Sequence, residues 1–98
     1  SQGLKLGIFS NNRKLSIEQL AKHLDIRKFF DTITGDEFGR KPDPAGLLHT
    51  LNLLKVDKAS SIYVGDLELD RKTAENAGIV SAIIGQDIMH IKELMKKV

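Results

Sequence analysis

The chain has 98 residues, 41% of them hydrophobic and 29% charged, a soluble globular composition that bounds it to one domain with a modest core. Its net charge of +2 is dispersed, and with one Tyr, four Phe and no Trp there is no sign of a base-stacking, nucleic-acid-binding surface. No Cys is present, which excludes a disulfide framework and thiolate metal sites and fits a reducing, cytoplasmic setting. No apolar run approaches the roughly 20 residues that span a bilayer, and no signal peptide is visible.

Strand and helix patterns alternate from the start. Leu4 to Phe9 predicts a strand that ends at Ser10-Asn11-Asn12. Ser16 is placed to cap a helix carrying Ile17, Leu20, Ala21 and Leu24 on one face, with Glu18 and Gln19 in its first turn. Asp25-Ile26-Arg27 closes that helix, and Phe29-Phe30 predicts a short apolar turn against the core. Ile33 begins a weak strand that runs into Gly35-Asp36, followed by the Gly39-Arg40-Lys41-Pro42 loop. Asp43-Pro44 opens the next helix, with Asp as N-cap and Pro at the first helical position. Leu47, Leu48, Leu51 and Leu54 form its apolar stripe.

Ser61 to Val64 predicts a third strand, stopping at Gly65-Asp66, and the helix after it ends at Ala77-Gly78. Ile79 to Ile84 is almost uniformly apolar and predicts a strand buried on both faces. Ile88, Ile91, Leu94 and Met95 mark a last amphipathic helix, whose Lys92, Lys96 and Lys97 complement the dipole at its C-terminal end. His23, His49 and His90 stand far apart on predicted helices without ligand spacing, and Met89 and Met95 suit packing.

Helices alternating with strands predict a parallel sheet in an α/β fold, whose ligands bind beyond the carboxyl ends of the strands. Those ends carry Ser10-Asn11, Lys41, and Asp66 with Asp70. The spacing of four between the aspartates lets both carboxylates reach one spot, which suits Mg²⁺. The same spacing also suits an Asp that caps the helix, and the segment by itself supports either role. A hydroxyl, a cation and a carboxylate pair on neighbouring strand ends compose a phosphate-plus-metal site.

In this order the motifs Gly7-Ile8-Phe9-Ser10-Asn11, Phe29-Phe30-Asp31, Gly35-Asp36-Glu37 with Lys41-Pro42-Asp43-Pro44, and Val64-Gly65-Asp66 through Asp70 to Ala77-Gly78 resemble the haloacid dehalogenase superfamily of phosphohydrolases, most closely its phosphoglycolate-phosphatase-like branch. The resemblance runs from about Leu4 to Ile84 and implies a Rossmann-like, three-layer α/β/α core. It implies a Mg²⁺-dependent phosphomonoester hydrolase for a small phosphorylated metabolite, working through an aspartyl-phosphate. Ser10 and the backbone N–H of Asn11 would bind phosphoryl oxygens. Lys41 would neutralise charge on the phosphoryl group and nucleophile. Asp66 would bind Mg²⁺ directly, and Asp70 directly or through water. Leu67, where the family often has a small hydroxyl residue, and Arg71, where many members are apolar, depart from the pattern without removing a proposed role.

The family's first motif, Asp-x-Asp, is absent: the aspartates stand at 25, 31, 36, 43, 57, 66, 70 and 87, and none is two residues from another. The nucleophile, the general acid and one metal ligand would therefore come from elsewhere. The family's strand order would put the missing strand between the strand ending in Ser10 and that ending in Asp66, leaving two facing unpaired edges. The expectation is that residues 1–98 are the C-terminal portion of such a core domain, without cap, inactive alone, and completed by a missing N-terminal segment or a partner chain. The alternative is a non-catalytic scaffold or binding module of the same fold. A phospho-receiver domain fits poorly, because its acidic residues precede the hydroxyl and the lysine.

Overall fold

The computed structural model describes residues 4–85 as four short strands and three α-helices in the alternating order the sequence predicts, with three single turns of 3-10 helix in the loops. The expected last helix, with Lys92, Lys96, Lys97, His90, Met89 and Met95, lies outside the described residues. Strand β1 (Gly7–Phe9) pairs in parallel with β2 (Thr32–Thr34), and β3 (Ile62–Gly65) pairs in parallel with β4 (Val80–Ile83). The two pairs form two separate sheets. Among the described residues β1 and β3 therefore each have one hydrogen-bonded partner strand and one unpaired edge.

Helices α1 (Lys14–His23), α2 (Ala45–Leu54) and α3 (Glu68–Ala77) complete three layers. Phe9 points into α2, where Gly46 leaves room: a Cβ there would lie 2.2 Å from the Phe9 ring. Its neighbour Ile8 points to the opposite face, into a groove walled by Ile17, Leu20 and Ala21 of α1. The core sits on the α2 side, where Phe9, Leu47 and Leu51 meet Ala77 and Ile79. Helix α2 therefore packs on both halves of the molecule. A buried hydroxyl pair, Thr50 Oγ1 donating to Thr34 Oγ1 at 2.8 Å, ties its middle to β2. No helix among the described residues is long and apolar enough to cross a membrane.

Several element ends differ from expectation. The first helix starts at Lys14 with Arg13 as N-cap, so Ser16 lies within it. The entry is fixed from the neighbouring strand instead, since Asp36 N–H donates to the Asn12 carbonyl at 3.0 Å and Gly35 closes against Lys14. Helix α2 starts one residue later than predicted, with Pro44 as N-cap, and Asp43 Oδ1 accepts the Ala45 N–H at 2.9 Å. Phe29 is 58% exposed rather than packed on the core, with the Lys28 ammonium 5.5 Å from its ring centre. Strand β4 buries Ala82 and Ile83 but leaves Val80 65% exposed, so it is not covered on both faces along its length.

Candidate functional site

The carboxyl ends of β1, β2 and β3 meet the loops that carry Ser10-Asn11, Lys41 and Asp66. Asn11 reaches across first: its Oδ1 accepts the Lys41 backbone N–H at 2.7 Å, fixing the loop after β2 against the end of β1. Ser10 Oγ accepts the Asn12 N–H at 3.2 Å, a local turn bond that leaves the hydroxyl proton free to donate.

Lys41 turns inward, only 14% of its side chain exposed, and donates from Nζ to Asp70 Oδ1 at 2.7 Å. Its ammonium also lies 5.5 Å from the Phe9 ring centre and 5.4 Å from that of Tyr63, where both ring faces attract the cation. One N–H of three is spent on Asp70, so the group keeps donors for an anion.

Asp70 has the most committed side chain in the site. It sits in the first turn of α3, where its Oδ2 accepts the backbone N–H groups of Asp66 at 3.1 Å and Leu67 at 3.2 Å. Both donors would otherwise be orphans of the helix start. Oδ1 takes Lys41 and the Tyr63 hydroxyl, the latter at 3.3 Å. Burial by itself would raise the Asp70 pKa. The Lys41 hydrogen bond and charge, together with the Leu67 and Asp66 amides, more than offset that and hold the carboxyl below its ordinary value. Of the alternatives open at the level of sequence, the capping one is observed through Oδ2, while Oδ1 is taken by Lys41 and Tyr63. Gly65 makes this possible: a Cβ there would fall 2.3 Å from Asp70 Oδ2.

Asp66 differs. It is exposed at the end of β3, and no hydrogen bond or ion pair among the described residues engages its carboxylate. Among those residues no cluster of three or more His, Cys, Asp or Glu could hold a metal ion. Mg²⁺ typically takes one or two carboxylates and completes its shell with water and phosphate oxygens. The donor set fits such an ion in part, with the Asp66 carboxylate left unengaged by the described residues.

Sequence reading missed Tyr63. Burial, then the charge of Asp70, then the hydrogen bond to it push the phenol far above its ordinary pKa, so it stays a neutral donor. Its hydroxyl also reaches the Phe9 carbonyl at 3.4 Å, across the gap between the two sheets. The signal was a tyrosine two residues before the Gly65-Asp66 turn, on a strand where a buried O–H must find a partner.

Comparison with known proteins places the chain in a family. Residues 1–84 match the family described as haloacid dehalogenase-like hydrolase. The phosphoglycolate phosphatase of Aquifex aeolicus is 33% identical over 85 residues, which cover 85% of this chain and 40% of that protein. The "Putative pyrophosphatase PpaX" of Caldanaerobacter subterraneus subsp. tengcongensis is 30% identical over 98 residues, 98% of this chain and 44% of that protein. Among solved structures, a HAD-superfamily hydrolase of Geobacter sulfurreducens superposes with a TM-score of 0.86 at 22% identity, covering 97% of this chain and 53% of that one, and shares the fold. The chain spans less than half the length of these curated relatives. With its parallel strand pairs, its helices on both faces and its ordered motifs, the chain belongs to the haloacid dehalogenase-like hydrolase family, in the company of phosphoglycolate phosphatases.

Proposed function

We propose that this chain supplies the phosphate-binding and metal-binding half of a Mg²⁺-dependent phosphomonoester hydrolase acting on a small phosphorylated metabolite. The observation that carries the reading is the linked series Asn11–Lys41–Asp70–Asp66, which joins three strand ends through hydrogen bonds of 2.7, 2.7 and 3.1 Å. The Ser10 hydroxyl and the Asn11 N–H hold phosphoryl oxygens. Lys41 offers its remaining N–H groups to the charge that grows on the phosphoryl group in the transition state. Asp70 holds Lys41 in place, and with both oxygens engaged it reaches an ion through water rather than directly. Asp66 is the residue that would hold Mg²⁺, which when bound neutralises phosphoryl charge.

The nucleophile and general acid come from a polypeptide segment outside these 98 residues. A carboxylate there attacks phosphorus, the alcohol leaves with a proton from the general acid, and water cleaves the aspartyl-phosphate. Phosphoglycolate and pyrophosphate, named in the relatives, are the first substrates to assay.

The test compares residues 1–98 with the same residues extended upstream. The short chain is expected to release no phosphate, and the longer one to do so with Mg²⁺. Asp66→Ala should abolish that release; full activity in this variant would overturn the metal assignment.

A further inference from the structure

We infer that Arg40 is a specificity-determining residue, whose guanidinium receives a second anionic group on the substrate, a carboxylate or a phosphate beside the phosphoryl group that Lys41 meets. This inference rests on the reading that Ser10, Asn11 and Lys41 hold a phosphoryl group, and it names the class of ester that the site selects. Arg40 and Lys41 are neighbours, with Cα atoms about 3.8 Å apart, yet their charges are used differently. Lys41 turns inward and pairs with Asp70 at 2.7 Å. The Arg40 side chain is 68% exposed, and its one charged partner among the described residues is Asp36, whose Oδ2 lies 3.9 Å from Nη1, too far for a hydrogen bond. A committed guanidinium in this chain is Arg27, whose Nε donates to Glu18 at 3.2 Å and Nη1 to the Phe30 carbonyl at 2.8 Å. The nearby carboxylates Glu37 and Asp43 are taken by the Gly35 and Ala45 N–H groups, at 2.7 and 2.9 Å. Arg40 keeps its donors unspent.

The backbone beneath this side chain is fixed against the phosphate-binding turn. The Arg40 carbonyl accepts the Asp43 N–H at 2.9 Å, and the N–H of the next residue goes to Asn11 Oδ1 at 2.7 Å. Asp36, which steadies the guanidinium, also donates its own N–H to the Asn12 carbonyl at 3.0 Å. Arg40 is therefore tied to the Ser10–Asn12 turn both through its backbone and through the residue its side chain faces. Arginine presents a planar fork that matches a carboxylate or phosphate with parallel hydrogen bonds. Asp36 orients one edge of that fork without occupying it, which leaves the other nitrogens for a substrate anion. An ester with a neutral group in that place gains nothing from Arg40, and the difference is selectivity. Arg13, the exposed N-cap of α1, is the competing cation, since it follows Asn12 directly. No hydrogen bond or ion pair among the described residues ties its side chain to the turn, whereas Asp36 ties that of Arg40.

The experiment uses the upstream-extended protein and two esters, phosphoglycolate and hydroxyethyl phosphate, which differ by a carboxylate against a hydroxymethyl group. In Arg40→Gln the ratio of kcat/KM for the first to that for the second should fall by about tenfold, carried by KM, and Arg40→Lys should restore part of it. Pyrophosphate in place of phosphoglycolate tells whether the second anion taken is a phosphate as well as a carboxylate. Arg13→Gln should leave the ratio where it is; a ratio that moves with Arg13 and not with Arg40 overturns the proposal. Independently of turnover, heteronuclear NMR follows the Arg40 Nε–H, identified by its loss in Arg40→Gln, as phosphonoacetate or ethylphosphonate is added. Both should shift the Lys41 amide, and only phosphonoacetate the Arg40 Nε–H. An unchanged ester ratio in Arg40→Gln, or phosphonoacetate that shifts Lys41 alone, overturns the role of Arg40 and leaves the phosphatase reading intact. Shifts at both residues without hydrolysis keep Arg40 as the anion receiver and remove the catalytic reading. No shift and no hydrolysis remove both.

Discussion

The Lys41 ammonium and the Asp70 carboxylate form a 2.7 Å ion pair that joins the loop after β2 to the first turn of α3, and so links the two sheets. The side chains are 14% and 6% exposed, so neither charge has much water to fall back on. Removing one partner of such a pair costs far more than the pair contributes, because the other charge stays buried. Lys41→Met should lower the unfolding free energy by roughly 3 kcal/mol, read as a fall in the urea midpoint at unchanged slope. Lys41→Arg, which keeps the charge, should cost less. An unchanged midpoint in Lys41→Met would show that Asp70 is sustained by its amide donors without the lysine.

The depressed pKa of Asp70 gives a signed acid response. A carboxyl whose folded value lies below its unfolded one, about 3.9, contributes stability that is complete above that value. The contribution is lost as pH falls through the folded value. Denaturant titrations from pH 7 to pH 2 should therefore show a loss below about pH 4 that is shallower in Asp70→Asn. Identical acid slopes in the two proteins would contradict the assignment.

Gly65→Ala tests the close approach beneath the strand end. The new Cβ would press on the Asp70 carboxylate and drive it from the Asp66 and Leu67 amides. Overpacking and the lost cap together should cost about 2–3 kcal/mol. The amides of Asp66 and Leu67 should lose exchange protection before the rest of α3, a local signature that a general loss of stability would not produce.

Lys55 ends α2 in a left-handed conformation, with φ 58° and ψ 46°. A side chain there carries strain that glycine avoids. Lys55→Gly should raise stability by about 0.5 kcal/mol, after the larger chain entropy that glycine brings to the unfolded state. A fall in thermal midpoint would mean that the lysine side chain contributes more than its backbone costs.

The alternation of elements was legible because each signal is local. Gly78, with φ 77°, stops α3 where a glycine after Asn76-Ala77 should stop it, and the apolar side of α2 was plain from the spacing of its leucines. The separation into two sheets was also legible, from a motif that is not in the sequence. What escaped depends on neighbours distant in the chain. Ser16 has every local mark of an N-cap, yet the helix entry is decided by Gly35 and Asp36, which lie beyond the helix. The candidates Lys41, Asp66 and Asp70 could be picked out by type and spacing, and the structure brings them together through hydrogen bonds. That Asp70 would be fully engaged while Asp66 stayed free could not, because the difference turns on where Tyr63 and Lys41 come to rest.

Among the described residues no backbone hydrogen bond joins the β1–β2 pair to the β3–β4 pair, and α2 packs on both. The spacing of the two strand pairs is therefore set by side-chain contacts, the packing along α2 and the Lys41–Asp70 ion pair among them, and not by a ladder of fixed spacing. Leu47 and Leu51 lie where the two halves meet, against Phe9 on one side and Ala77 and Ile79 on the other. A methyl group gained or lost there would widen or narrow the span between the loop that carries Lys41 and the strand end that carries Asp66 without altering either residue.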